Sequence, residues 1–372
     1  MSIILTQAQG LVYTLVSLMP SLYQQQSLQA LLGLFLEAQG HPLPQHSRSK
    51  SASALSRFLN QYTWSTRALI RAVRQAVLKQ ILAQRQKGRR PTLEVILDLT
   101  TLEKTGKFGG LGNLVRVYNG KRGLHLVILY LVVGQWQVPW SFRVYRGKGH
   151  PGHVQLGLRL LRTLPKHLTQ HFQILVLADT GFGSIELMQE VRRLKFHAVV
   201  GVRHDRRLAT GGTLRQISRR GQQVWLKGVS FPVTLSWYWL DNQGKRDRRF
   251  VVSTKSYTAA YITRLGRRRW QIEAFFKTAK HRFGLHRFGQ GTLLGVYRWL
   301  ILSMVANLLA HWAHLWSGGG TFPDWGAVSN LALHTLLPQL VVLLFLLQLK
   351  PMRSLAAQQG LKLSVTGCDR AC

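Results

Sequence analysis

The sequence predicts an α/β core flanked by helical regions on both sides, and three observations lead there. Apolar residues recur three and four apart over residues 1–90, as in Leu11, Leu15 and Leu18 and again in Leu28, Leu31, Leu32 and Phe35. From Pro91 the pattern changes to short runs of β-branched and bulky apolar residues bounded by Gly, Asn or charge. Helical spacing returns after about residue 256 and leads into a very apolar C-terminal third. With 372 residues the chain has length for two or three domains and a sizeable core.

Taken in order, residues 1–90 form a helical region divided by the Pro/Ser-rich turn from His41 to Ser53. Residues 91–205 form the first part of the core. Strands are expected at Val95–Leu97, Leu114–Val117, Leu124–Val133, Gln137–Val144, Ile174–Ala178 and Ala198–Val202, with helices near His153–Leu164 and Ile185–Leu194. Residues 206–255 read as an antiparallel β insert containing Gln222–Lys227. In it Val233, Leu235, Trp237 and Trp239 alternate with Thr234, Ser236 and Tyr238, and Asp241-Asn242-Gln243-Gly244 turns the chain before Phe250–Thr254. Residues 256–290 carry one strong helix, from about Thr258 to Arg282. Residues 291–372 are a C-terminal helical region in which Gly318-Gly319-Gly320 is a flexible joint.

The charge narrows the function. Lys and Arg number 50 against 13 Asp and Glu, a net +37, while charged residues make up only 17% of the chain. About 25% is typical, so the imbalance comes largely from missing acids. Such a field attracts polyanions, nucleic acid first and an anionic membrane second. Between Glu37 and Glu94 there is no acid, and Arg67, Arg71 and Arg74 share one helical face. A solvated face usually mixes signs, so this one is read as a surface for the DNA backbone.

Other classes are set aside by composition. Cys368 and Cys372 sit together at the tail, which excludes a disulfide scaffold and a four-thiolate zinc site and fits a reducing cytosol. The apolar stretch Leu293–Trp316 holds Arg298, Asn307, His311 and His314, each costly at a bilayer centre, so it reads as a buried or interfacial helix. The run Leu340–Leu347 is bounded by Pro338 and by Lys350 and Pro351. The roughly twelve helical residues between those prolines reach about 18 Å, short of a bilayer core of about 30 Å. No membrane partner is expected. The apolar patch from Gly10 to Pro20 has no basic residue ahead of it, so no secretory signal is read there. Phe108-Gly109-Gly110-Leu111-Gly112 reads as a turn, Gly147-Lys148 as a weak phosphate contact, and His150 and His153 as loop histidines near DNA rather than zinc ligands.

With so few acids, each can be asked what it does. Asp98 ends the run Val95-Ile96-Leu97, and Asp179 ends Ile174–Ala178 ahead of Thr180-Gly181-Phe182-Gly183. A carboxylate at the mouth of a buried strand is expensive unless positive charge meets it. The third, Glu273, shares a helix face with Arg269, four residues before it, and Lys280, seven after. Taken singly, Asp98 is readable as a strand-end cap, Asp179 as a helix N-cap and Glu273 as half of a helical ion pair with Arg269 or Lys277. Taken together, two strand-end carboxylates and one helix carboxylate suit a site for two magnesium ions about 3.5–4 Å apart, the chemistry of phosphodiester hydrolysis or strand transfer.

At these residues the chain resembles the DDE transposases of bacterial insertion sequences, in the group whose third acid lies in a Tyr-x2-Arg-x3-Glu-x6-Lys signature. Arg269, Glu273 and Lys280 match its last three places, with Gly266 where the signature has Tyr, and Leu97-Asp98-Leu99-Thr100 and Ala178-Asp179-Thr180-Gly181-Phe182 resemble the regions of its first two acids. The resemblance runs from about Pro91 to Gln290.

It implies a ribonuclease H-like mixed sheet interrupted by a β insert, with Asp98, Asp179 and Glu273 as catalytic and metal-holding acids. Two Mg2+ (or Mn2+) ions per site are implied, with cut-and-paste movement through a hairpin in the studied relatives. Double-stranded DNA, as transposon ends and target, is the implied partner of a cytoplasmic homodimer paired through the apolar C-terminal helices. Arg269, Lys280 and Lys277 would contact phosphates, and Tyr261 is a candidate substitute for the missing Tyr. Trp225, Trp237, Trp239 or Trp270 would stack on a flipped base, against core packing as the ordinary role of a tryptophan. The alternatives are a catalytically silent DNA-binding regulator or decayed copy, and a basic metal-dependent nuclease.

Overall fold

A computed structural model describes residues 3–37, 42–105, 111, 114–242, 245–320, 323–364 and 366. His41, Gly106, Phe108 to Gly110, Gly112, Gln243, Gly244, Cys368 and Cys372 lie outside the described residues, and with them most of two expected turns and the cysteine tail.

In chain order the elements begin with helices α1 (Ile3–Ser17), α2 (Leu22–Glu37), α3 (Ala52–Asn60) and α4 (Thr66–Ala83). Strands β1 (Thr92–Glu103), β2 (Arg116–Tyr118), β3 (Lys121–Val133) and β4 (Trp136–Tyr145) follow, then α5 (His153–Leu161) and α6 (Lys166–His171). Next come β5 (Gln173–Ala178), α7 (Ile185–Arg193), β6 (His197–Val202), β7 (Gln223–Val224), β8 (Val233–Asn242) and β9 (Lys245–Ser253). The chain continues through α8 (Ala259–Arg268), α9 (Gln271–His281), α10 (Leu293–Trp316), α11 (Trp325–Leu336) and α12 (Pro338–Gln358). They gather into two compact units, one of residues 1–69 with 282–372 and one of residues 70–281.

The second unit is built on a mixed sheet of order β2-β3-β1-β5-β6-β9-β8-β7, with β4 on β3. β1, β5 and β6 run parallel and the other pairings are antiparallel. The segment β4-β3-β1-β5-β6 is the ribonuclease H-like core that the resemblance implies. The strands read as an insert do not stand apart from it: β9 pairs with β6, Val252 opposite Val200, and carries the sheet on to β8. Both valines are fully buried, so the added strands share the apolar layer of the core.

Several elements differ from their sequence reading for identifiable reasons. β1 continues to Glu103 because β3 pairs with it from Val132 down to Gly123, although Asp98, Thr100 and Thr101 interrupt its apolar pattern. β7 is shorter than Gln222–Lys227, and α6 had no clear periodicity. The helix expected from Thr258 to Arg282 is divided at Arg269-Trp270. There the amides of Trp270, Ile272 and Glu273 bond the carbonyls three residues back, at 3.0, 3.2 and 2.9 Å, which tightens the turn between α8 and α9.

The first unit is assembled from both ends of the chain around α10, nearly all of which is buried against α1, α2, α3 and α11. Its Arg298, 2% exposed, donates to the carbonyls of Phe58, Leu59, Tyr62 and Trp64 and to the Thr66 hydroxyl, with its guanidinium over the Trp64 ring. A buried cation is thus matched to the carbonyls left free where α3 ends. Burial lowers the Arg298 pKa to about 10. α12 corrects the expected stop before Pro351, since it runs through that proline for 21 residues. Leu347, whose carbonyl loses its i+4 donor to the proline ring, is 42% exposed and open to solvent. By length and composition α10 and α12 are both able to cross a membrane, α10 being mostly buried in its unit and α12 mostly exposed.

Candidate active site and nucleic-acid interface

Side chains four apart on a strand share a face, so Glu94 and Asp98 project from the same side of β1. Leu97 lies opposite Ala178 of β5, and the next residues are Asp98 and Asp179, which therefore leave adjacent parallel strands at one level. Neighbouring strands are about 4.8 Å apart, which brings the two acids into each other's field.

Asp98 is 7% exposed. Its Oδ1 accepts from the Leu99 amide at 2.8 Å, and its Oδ2 accepts from Arg269 Nη1 at 2.5 Å. The other arm of Arg269 donates to Glu273 Oε1 at 3.0 Å, so a single guanidinium bridges two of the three acids. Burial pushes the Asp98 carboxyl up to about 7; Arg269 and the Leu99 amide oppose the rise, while Asp179 and Glu273 add to it.

Four residues earlier on β1 the arrangement repeats with Glu94. Glu94, also buried, meets Arg268 at 3.1 Å, and its Oε2 is buried without a hydrogen-bond partner. Burial raises its pKa against the pull of Arg268 and Arg264. Neighbouring arginines at the α8–α9 junction thus meet carboxylates on one strand face, which fixes where α9 begins and where Glu273 is carried.

Asp179 opens a tight turn in which the Phe182 amide bonds the Asp179 carbonyl at 3.1 Å and its Oδ1 at 3.3 Å. His153, at the start of α5, donates from Nε2 to the Gly181 carbonyl at 2.7 Å, and its ring meets Phe182 edge-on. Tyr118 and Tyr145 pack beside them, their ring centroids 5.0 Å apart. Burial raises the Tyr118 hydroxyl pKa, Tyr145 adds to this, and Asp179 contributes as well. Sequence reasoning missed Tyr118, and it took His153 for a loop residue. The only local signal was the Gly149-His150-Pro151-Gly152-His153 string ahead of a helix.

The three acids are therefore related pairwise: Asp98 to Asp179 by strand register, Asp98 to Glu273 through Arg269. Among the described residues no three Asp, Glu, His or Cys side chains are gathered around one point that could hold an ion. Between two of the carboxylates stands the Arg269 guanidinium, one arm on Asp98 and the other on Glu273. The donor chemistry still fits divalent cations, since the set is all carboxylate and two of its members already hold a positive group.

The expected DNA-facing residues divide. Trp270, 46% exposed, lines a cleft of about 790 Å³ together with Arg220, Arg264, Arg267 and Arg268. Lys277 is exposed. Lys280 is half-buried, and burial lowers its pKa, with Lys121 acting in the same direction and Glu103 against it. Trp225 and Trp239 are exposed, whereas Trp237 is buried beside Phe250 and beneath Arg248. Arg67, in the first unit, and Arg71, in the second, are exposed. Arg74 is not a free member of their face: it donates to Ser141 Oγ at 2.8 Å and lies over Trp140, and burial lowers its pKa.

Gly266 faces the sheet. A Cβ there would lie 3.2 Å from Val251 Cγ2 and 3.7 Å from Tyr238 Cε1, so α8 packs closely on β8 and β9 at this point. Tyr261 stacks edge-on against Tyr257, with Arg264 over its ring.

Against known proteins, the family model described as the transposase DDE domain matches residues 89–309. No curated protein matches the sequence. Among solved structures, a cryo-EM structure of the piggyBac transposase synaptic complex with hairpin DNA is 14% identical. That match covers 99% of this chain and 85% of that one, with a TM-score of 0.48.

Proposed function

Because the chain belongs to the family of transposases built on a DDE domain, enzymes that cleave DNA and transfer strands, we propose that it moves an insertion sequence by cut-and-paste chemistry with Asp98, Asp179 and Glu273 as its three acids. The observation that carries this assignment is Arg269 bound by Asp98 at 2.5 Å and by Glu273 at 3.0 Å, beside the strand end that bears Asp179. Carboxylates that hold a cation so closely have the charge and the oxygen donors for Mg2+ or Mn2+, two per site. Such ions, when bound, activate the attacking oxygen and stabilise the leaving one.

The remaining roles belong to the chain's own residues. Arg269, planar and always charged, holds a phosphate oxygen of the strand being cut. Lys280 and Lys277 hold phosphates further along α9, and Trp270 offers a face for an unpaired base. Exposed Arg67 and Arg71 take the duplex backbone. The protein acts as a homodimer on paired double-stranded ends and on target DNA, in the cytoplasm.

Asp179→Asn and Glu273→Gln test the assignment on a duplex carrying the element's terminal repeat. Nicking with Mg2+ should be abolished, while salt-dependent affinity for the duplex stays within about twofold of wild type. Nicking retained in either variant rejects the acid assignment.

A further inference from the structure

Beyond the C-terminal ends of β5 and β6 lies a second cleft, of about 620 Å³, that the roles assigned above do not use. One wall is the chain that follows Asp179, at Thr180, Gly183 and Ile185. The opposite wall is the loop after β6, with Arg203, Arg206 and Arg207, closed by Lys227 and Gly228. The walls are held close: a Cβ on Gly183 would lie 2.0 Å from the Gly201 carbonyl oxygen, so only glycine permits this approach.

Four cations line the cleft against one acid, Asp205, and that acid is paired with Arg203 at 3.1 Å. Arg206 differs from an ordinary surface arginine. Its Nε and Nη2 are both buried and neither has a hydrogen-bond partner. These two nitrogens form one edge of the guanidinium, a side-on fork that takes two oxygens of a phosphate at once when the side chain turns it into the cleft that Arg206 lines. Leaving that edge buried and unmet is costly, and a native structure carries such a group where something completes it.

The loop is organised by its own backbone. The Arg206 amide bonds the Arg203 carbonyl at 3.2 Å, the Arg206 carbonyl accepts from Leu214 at 3.0 Å, and the Arg207 carbonyl accepts from Lys227 at 3.0 Å. The backbone that carries Arg206 and Arg207 is thereby fixed, so little main-chain freedom is lost on binding.

We propose that this cleft seats a backbone phosphate of the DNA strand that runs past Asp179, with Arg206 as its two-pronged ligand and Arg207 and Lys227 as flanking cations. This rests on the transposase reading for the identity of the polyanion. Two features favour a strand over a free anion. The cleft is of a size that holds a ligand larger than one phosphate group, and Thr180 in its wall directly follows Asp179. A contact of this kind sets the register of the strand without reading its sequence.

The test measures binding without catalysis, in EDTA, using a fluorescein-labelled mixed-sequence duplex and, separately, inorganic phosphate. Arg206→Ala should weaken duplex binding about tenfold and make the dependence of log K on log salt shallower by about 0.9, the loss of one phosphate contact. Arg206→Lys should recover part of the affinity. Arg207→Gln combined with Lys227→Gln, changes at the cleft rim, should weaken binding in the same direction and keeps the test valid if Arg206→Ala unfolds. Unchanged affinity and slope in both Arg206→Ala and the rim variant overturn the proposal while leaving the transposase reading to be judged by wild-type nicking. Saturable binding of inorganic phosphate that requires Arg206, with duplex binding unaffected, overturns it in favour of a free anion. A wild-type protein that fails to bind the duplex overturns both.

Discussion

Arg268 at the end of α8 reaches Glu94 near the start of β1 at 3.1 Å, on the strand face that presents Asp98 to Arg269 four residues later. Glu94 is 6% exposed, so removing Arg268 leaves a buried carboxylate unmet. Arg268→Ala should cost about 1–3 kcal/mol in urea unfolding. In a double-mutant cycle with Glu94→Gln the two changes should couple by about 0.5–3 kcal/mol. Strictly additive effects would show that the pair does not hold the junction.

Asp98 offers a pH signature in metal-free buffer. Its ordinary value is 3.8 and burial lifts it to about 7 in the folded chain. A carboxyl so raised binds its proton more tightly folded than unfolded, so its contribution to stability falls as pH rises from about 4 towards 7. Asp98→Asn removes that dependence. Between pH 4.5 and 8 the variant should therefore gain on wild type by up to a few kcal/mol in unfolding free energy. Parallel stability curves for the two proteins would place the carboxylate in a solvated setting.

Gly266 should resist the residue its signature position calls for. A tyrosine side chain grown towards Val251 overpacks the α8–sheet contact, and Gly266→Tyr should destabilise by about 1–3 kcal/mol in thermal melts. Gly266→Ala should stay within about 1 kcal/mol of wild type, because the better helix propensity offsets the 3.2 Å approach. A tyrosine variant as stable as the parent would mean that α8 can turn this position outward.

Arg71 and Arg74 should separate in function although they share a helix face. Arg71→Ala is expected to make the salt dependence of duplex binding shallower by about 0.9. Arg74→Ala is expected to leave that slope unchanged and to lower stability by about 1–3 kcal/mol through loss of its bond to Ser141. A slope that moves with Arg74 and not with Arg71 would reverse the assignment.

What could be read in advance was local. The i to i+4 spacing of Arg269 and Glu273 announced their ion pair, and the apolar runs ending in Asp98 and Asp179 announced strand mouths. What could not be read depends on partners distant in the chain. Glu94 takes its meaning from Arg268, His153 from the Gly181 carbonyl, and Arg74 from Ser141. β9 joins β6 by pairing that no alternation of residues encodes. The break at Arg269-Trp270 has no glycine or proline to mark it, and α12 continues through a proline that would ordinarily end it.

The first unit also constrains how the protein can be made. Its α1, α2 and α3 leave the ribosome long before α10, against which they pack, has been translated. Until then the faces of α1, α2 and α3 that meet α10, including Phe35 where it packs on Trp299, have no cover. A product cut short anywhere within the second unit would carry those helices bare and aggregation-prone, so damage to the 3′ half of the reading frame costs the N-terminal fold as well as the C-terminal one.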